Sequence, residues 1–180
     1  MRKSREEAAE TRKRIVKAAA CEFRVKGIVA TSLADLMKAA GITHGGFYKH
    51  FESKDQLIAE ACAEAMQEVM ERMEAQPTIG AAVTGYLSTR HRDNLGSGCP
   101  FSAIGSELAR TDEKTREVAT AAFERLVGLL AGNSSEKDAR RRALVAAAMM
   151  IGAVTMSRIV GDPKLSAEIL SEVEKSLTGG

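Results

Sequence analysis

The 180-residue chain has no tryptophan, and aromatic residues make up only 4% of it. Proline occurs three times, and no run of alternating β-branched residues is present. Few helix breakers, scarce strand formers and abundant alanine favour helix, so the predicted fold class is all-α. Cysteine is also sparse: Cys21, Cys62 and Cys99 lie far apart with no CxxC pair, which argues against a disulfide scaffold and for a reducing compartment. His44, His50 and His91 have no ligand spacing with those cysteines, so neither a metal nor a cofactor is expected. HExxH and GxSxG are absent, and Gly96-Ser97-Gly98 lacks the third glycine and the preceding strand of a dinucleotide loop, leaving an enzyme reading little support. The opening MRKSREEAAETRKR has no apolar h-region of a secretory signal. No stretch approaches the roughly 20 apolar residues of a membrane span; the nearest, Ala143 to Val154, is too short and contains Gly152. A cytoplasmic location is expected.

What is present is ordinary in bulk and uneven in placement. Hydrophobic residues at 44% and charged residues at 28% suit a globular protein of one or two domains with a substantial core. The net charge of +2 divides unequally, because residues 1–55 hold 12 Lys and Arg against 7 Asp and Glu while the remainder is mildly acidic. A basic N-terminal third suits contact with nucleic-acid phosphates, although a solvated surface can carry the same asymmetry.

The chain is organised around residues 31–54, TSLADLMKAAGITHGGFYKHFESK. Leu33, Leu36, Met37 and Ala40 form one apolar helical face, with Thr31 and Ser32 as N-cap candidates and Asp35 as the capping-box partner of Ser32. Gly41 is placed to end that helix in a left-handed conformation. After Gly41-Ile42-Thr43 a second short helix follows, capped by Thr43, with Phe47 and Phe51 on its inner side. Two short helices joined by a three-residue turn containing Gly form a helix-turn-helix, whose second helix enters the DNA major groove. Gly45-Gly46 inside this helix costs roughly 0.8–1.0 kcal/mol per Gly relative to Ala, which close approach of backbone to DNA would offset.

Around this motif the periodicity predicts further helices. Residues 1–10 read as a frayed polar tail in which Arg2, Lys3 and Arg5 could form a basic arm. A first helix runs from Thr11 to Gly27, and Ser53 with Gln56 caps a long helix ending at Gln76-Pro77. A fifth helix runs from Ile79 to about His91, followed by a loop from Asp93 to Pro100 and a sixth helix from Phe101 to about Ala109. Thr111-Asp112 caps a seventh, which ends at Gly132-Asn133. Ser135 with Asp138 caps an eighth helix reaching Val160, whose small apolar residues on nearly all sides predict burial in a core or in a core shared with a subunit interface. Asp162 and Pro163 start a ninth.

The run from Phe23 through Gly27, Thr31-Ser32, Ala40-Gly41-Ile42-Thr43, Gly46, Tyr48-x-His50-Phe51 and Ser53-Lys54 resembles the TetR family of bacterial regulators. The resemblance covers about 45 residues. It implies a helix-turn-helix DNA-binding domain at 1–52 and a roughly six-helix effector-binding and dimerisation domain at 53–180. It also implies a homodimer through about 136–160 and 164–177, a pseudo-palindromic DNA operator and a small-molecule effector. By position, Tyr48, His50, Lys54, Thr31 and Thr43 would meet phosphates, His44 and Gly45 the bases, and Lys49 either; Ser32 belongs to the same DNA-facing set. Met37 and Ile28 depart from common family residues at packing positions.

Two sensors are open. Cys99, between Gly-Ser-Gly and Pro at the start of the sixth helix, has the surroundings that lower a thiol pKa, with Arg90 and Arg92 as candidate neighbouring cations; it is also similar in position to sensing cysteines of the family. Alternatively Met66, Met70, Tyr86, Phe101, Phe123 and Met149 line an apolar pocket, or form plain core. The expected function is a DNA-binding repressor released by a small molecule or by cysteine modification. The alternative is a helical protein-interaction module without sequence-specific DNA binding.

Overall fold

The computed structural model describes residues 2–132 and 138–179, and the side chains of these except 2–4 and 44. It is built of helices α1 (Arg2–Lys26), α2 (Leu33–Ala40), α3 (Lys54–Glu74), α4 (Ile79–Tyr86), α5 (Thr89–Asp93), α6 (Pro100–Leu108), α7 (Glu113–Ala131), α8 (Ala139–Ile159) and α9 (Pro163–Thr178). A 3-10 segment, His44–Lys49, stands between α2 and α3, and a shorter one, Leu95–Ser97, between α5 and α6. No strand occurs among the described residues.

Local chemistry accounts for most of the boundaries. Ser32 accepts from the Asp35 N–H while Asp35 accepts from the Ser32 N–H, a reciprocal capping box that starts α2. Gly41 ends it at φ 70°, ψ 32°, a conformation that costs other L-residues a clash at Cβ. Ser53 accepts from the Gln56 N–H to open α3, but the Gln56 amide oxygen turns to the Glu52 N–H rather than back to Ser53. Asp162 caps α9 with Pro163 in its first turn.

Several expectations are corrected. The first helix begins at Arg2 rather than Thr11, so residues expected as a frayed tail extend α1 by more than two turns; the side chains of Arg2 and Lys3 lie outside the described ones. The third helix is a 3-10 segment, as the weak helix propensity of Gly45-Gly46 would favour. The fifth helix breaks at Leu87, and Ser88 caps a new helix by accepting from the His91 N–H. The eighth buries one stripe only, Ala139, Ala143, Ala147, Met150, Val154 and Ser157, leaving Val145, Met156 and Ile159 exposed. Asp138 makes no side-chain cap on it, and Asn133, Ser135 and the expected stretch 136–137 lie outside the described residues. α8 is also long and apolar enough to cross a membrane, longer than the sequence suggested. Its apolar stripe instead packs against α7 and α9.

Two hydrophobic cores result. One joins Ile15, Ala19 and Phe23 of α1, Leu36 and Met37 of α2, Phe47, Phe51, and Leu57 to Ala65 of α3, and it takes in Ile104 and Leu108 of α6. The other lies beneath α3, α4, α7, α8 and α9 around Met66, Met70, Tyr86, Leu126, Met150 and Val154. Helix α3 contributes to both cores and so connects them.

Candidate functional site

The N-terminal face is set by burial of two rings. Phe47 and Phe51 stack at 5.4 Å inside the first core, and Tyr48 stands edge-on to Phe47 at 5.1 Å with its own ring exposed. Lys49 and Gly45 are exposed beside it, and His50, half-buried, ends the segment. A Cβ added at Gly45 would meet no atom within 4 Å, so no packing inside the protein requires a glycine there. Thr43 is exposed at the N-cap position with extended backbone; its carbonyl accepts from the Gly46 N–H at 2.9 Å, but its hydroxyl makes no capping bond, contrary to the capping role expected of it. That hydroxyl is left available. The His44 side chain lies outside the described ones.

Three other predicted DNA residues are occupied internally. Thr31 is fully buried and its hydroxyl donates to the Gly27 carbonyl, so it cannot also reach a phosphate in this conformation. Ser32 is committed to its capping box with Asp35. Lys54 donates from Nζ to the carbonyls of Thr31 at 2.7 Å and Ile28 at 3.1 Å, tying α3 to the turn before α2. The first-turn lysine that looked unfavourable for a helix dipole is explained by these carbonyls.

Several important residues escaped the sequence reading. Arg12 forks onto Glu60, donates to the His50 carbonyl at 3.3 Å and lies 4.5 Å over the Phe51 ring, clasping α1, the 3-10 segment and α3 together. Its guanidinium is held above its ordinary pKa, first by the bond to Glu60. Arg24, buried on α1, donates to the Gly98 carbonyl at 3.1 Å and pairs with Glu68 at 3.1 Å. Glu107 of α6 accepts from the Val29 N–H at 2.9 Å, in the turn that leads to α2. A Cβ on Gly27, whose φ is +90°, would come within 2.6 Å of the Glu107 carboxylate. Arg24 was detectable in principle, lying four residues past the buried Ala20 on the same helical stripe.

In the C-terminal half the predicted residues do not share a cavity. Met66 and Met70 are closed core, Phe101 and Phe123 pack edge-to-face at 5.9 Å, and Met149 borders a separate cleft between α4, α8 and α9. Of the six, Tyr86 alone borders an open cleft of about 400 Å³ between the end of α3, α4 and the loop 94–97. Behind it lies a buried polar cluster. The Cys99 N–H donates to His91 Nε2 at 2.9 Å, and His91 Nδ1 bonds the Tyr86 carbonyl at 2.6 Å. That pairing fixes the proton on Nδ1 and keeps the ring neutral; burial pushes its pKa down to about 4.

Cys99 is therefore not the thiolate its position suggested. It is fully buried, and desolvation raises its pKa despite contacts from Tyr86, Ser102 and Phe101. Neither expected arginine is its neighbouring cation: Arg92 pairs with Asp93 at 2.7 Å, and the cations that bear on Cys99 are Arg158 and Arg72. Arg158 donates to the carbonyls of Arg92 at 2.9 Å and His91 at 3.0 Å and to the Ser102 hydroxyl at 3.2 Å, fastening α8 to α5 and α6. No cluster of three or more His, Cys, Asp or Glu able to hold a metal ion occurs among the described residues.

Comparisons with known proteins agree with this architecture. Residues 15–61 match the model for bacterial regulatory proteins of the TetR family, and residues 78–165 match the LmrA/YxaF-like transcriptional regulator C-terminal domain. The regulator TtgR of Pseudomonas putida is 37% identical over 73 residues, which is 41% of this chain and 34% of TtgR. The chain thus spans about a third of the length of that curated relative. The MT0206 regulator of Mycobacterium tuberculosis matches more extensively, at 27% identity over 84% of this chain and 86% of its own. Among solved structures, the reduced form of NemR from E. coli shares the fold at 18% identity and a TM-score of 0.77, covering 94% of this chain and 96% of that one. A TetR transcriptional regulator from Chloroflexus aurantiacus superposes with a TM-score of 0.80 at 31% identity, covering 97% of this chain and 95% of that one. With both halves matched and a full-length relative at that identity, the chain belongs to the TetR family of bacterial transcriptional regulators.

Proposed function

We propose that the protein is a DNA-binding transcriptional repressor acting as a homodimer. Residues 1–52 read the operator, and residues 53–180 bind an effector and pair the subunits. The observation that carries this reading is the 3-10 segment, which together with its N-cap residue presents Thr43, Gly45, Tyr48 and Lys49 outward from a core sealed by Phe47 and Phe51. An unhindered glycine lets backbone approach the duplex, and Lys49 has no partner among the described residues to compete with a phosphate. His44, at the segment's start, is assigned to the bases by position, and His50 to a phosphate. Thr31, Ser32 and Lys54 act instead as the frame that holds the segment.

The exposed Val145, Met156 and Ile159 of α8, with Leu165 of α9, supply the apolar face for the dimer within 136–160 and 164–177. Two reading segments in such a dimer would sit about 34–36 Å apart on a pseudo-palindrome. A small molecule that binds the DNA-free form more tightly would release the operator. The burial of Cys99 favours such a ligand over direct thiol chemistry, which would first need the start of α6 to open.

The test is anisotropy titration of the purified protein against the DNA flanking its own gene. A specific shift is expected, with log affinity falling linearly in log salt. A protein-interaction module would show no difference between that fragment and scrambled DNA, and this result would end the repressor reading.

A further inference from the structure

We propose that the cleft between α3, α4 and the loop 94–97 takes an anionic amphiphile, with a carboxylate or phosphate head held by Arg72 and Arg90 and an apolar tail against Val69, Met73 and Tyr86. Its volume of about 400 Å³ falls in the range of small-molecule sites. The charge of its walls selects the head group. Arg72 and Arg90 are both among the lining residues, and no Asp or Glu is.

The neighbouring charges do not neutralise them. Glu68, which influences Arg72, is paired with Arg24 at 3.1 Å, and Asp93 is paired with Arg92 at 2.7 Å. His91 is neutral and both its ring nitrogens are already bonded. Arg24 and Arg158 are spent largely on backbone carbonyls. Arg90 has no side-chain partner among the described residues, and Arg72 donates only to the uncharged Ser97 carbonyl. An anion makes a stronger, charge-assisted bond than a carbonyl does, so it would draw Arg72 away from Ser97.

That exchange has somewhere to travel. Ser97 lies one residue from Gly98, whose carbonyl holds Arg24 of α1, and two from Cys99, whose N–H holds His91 at the cleft wall. Cys99 is the residue that immediately precedes α6, and the far end of α6 carries Glu107 against the Val29 N–H at the approach to α2. Freeing the loop from Arg72 therefore loosens two clasps on the N-terminal, DNA-binding half, Arg24–Gly98 and Glu107–Val29. The site itself does not depend on the repressor reading; the consequence for DNA rests on it.

The experiment uses full-length protein with decanoate and decyl phosphate as anionic probes and decan-1-ol as the neutral one, followed by calorimetry and by operator anisotropy. Both anions are expected to bind at least about tenfold tighter than the alcohol, and the Arg72→Gln/Arg90→Gln double variant to lose that preference while binding the alcohol as before. Each single variant, checked for an unchanged melting temperature, guards against a folding defect. Equal affinity for decanol and decanoate, or full anion selectivity in the double variant, would overturn the site. Anion selectivity with unchanged operator affinity would overturn the relay and leave the site standing. If the protein failed to recognise DNA at all, calorimetry would still decide the site and only the repressor reading would fall.

Discussion

Lys49 and Arg158 each carry one positive charge, and the two halves of the molecule use that charge in opposite ways. Lys49 stands in solvent on a six-residue segment with no partner among the described residues, next to Tyr48 and Gly45. Arg158 turns inward from α8 and satisfies two carbonyls and a hydroxyl contributed by α5 and α6. The first arrangement keeps a charge ready for something outside the protein. The second uses a charge to hold the protein's own loops in place. Removing residues from each half should therefore have different consequences, separable by measuring stability and DNA affinity in the same variants.

The largest effect is expected where the DNA face meets its core. Phe47→Ala removes a ring stacked on Phe51 and buried beneath Tyr48, and should cost about 3–5 kcal/mol of unfolding free energy together with operator binding. Urea denaturation checks the first and anisotropy the second. Retained DNA binding at full stability would mean the segment does not depend on its core.

Arg158→Met tests the opposite half. It leaves the His91 and Arg92 carbonyls and the Ser102 hydroxyl without this donor, and the half-buried site lets water replace only part of the loss. A loss of about 2–3 kcal/mol in urea denaturation is expected, with Lys49 and Tyr48 untouched. A change below about 0.5 kcal/mol would show that the cluster is solvated and that the contrast between the halves is superficial.

This contrast also explains what could be read from the chain before its structure. Ser32, Asp35, Gly41, Phe47 and Phe51 act over three to five residues, so their spacing announced the helix-turn-helix. The interior cluster draws on residues 24, 68, 72, 91, 98, 102 and 158, and no local pattern connects them. Cys99 shows the cost of this. Its neighbours in sequence, Gly-Ser-Gly and Pro at a helix start, suggested a thiol of lowered pKa, whereas it is fully buried and desolvation raises that pKa. The bonds of Lys54 were hidden for the same reason, because the carbonyls it satisfies belong to residues 28 and 31. The break at Leu87-Ser88 was legible in principle, since Ser88 is a good N-cap, but a continuing apolar pattern concealed it.

His91 gives the interior a pH signature. Its folded-state pKa of about 4 lies below the ordinary 6.5, so between those values the unfolded chain binds the proton and the folded one does not. The stability contributed by a neutral His91 is full above pH 6.5 and is lost as pH falls toward 4. From pH 7 to pH 5 the loss should be about 2 kcal/mol. Asp35, Asp93, Asp112 and Glu124 are held below their usual carboxylate range, so their protonation acts at lower pH and leaves this window clear. The measurement is urea denaturation at pH 7, 6 and 5, with His91→Gln as control. A variant with the same slope as the parent would show that another group carries it.

The smallest effect falls on free energy of binding alone. Lys49→Ala deletes an exposed ammonium that bonds to nothing among the described residues, so the melting temperature should not change. If Lys49 meets a phosphate, operator affinity should fall by about 1 kcal/mol per subunit and the slope of log affinity against log salt by about 0.9 for each phosphate no longer neutralised. The loss should be nearly equal for specific and scrambled DNA, because binding to a phosphate carries no sequence information. If Lys49 instead reads a base, the loss should be confined to the specific fragment, reach about 1–3 kcal/mol and relax the preference at one position. Either result keeps Lys49 at the interface and says which part of the duplex it faces. An unchanged affinity and salt slope would remove it, and with it the claim that the outward cations of this half are held ready for DNA.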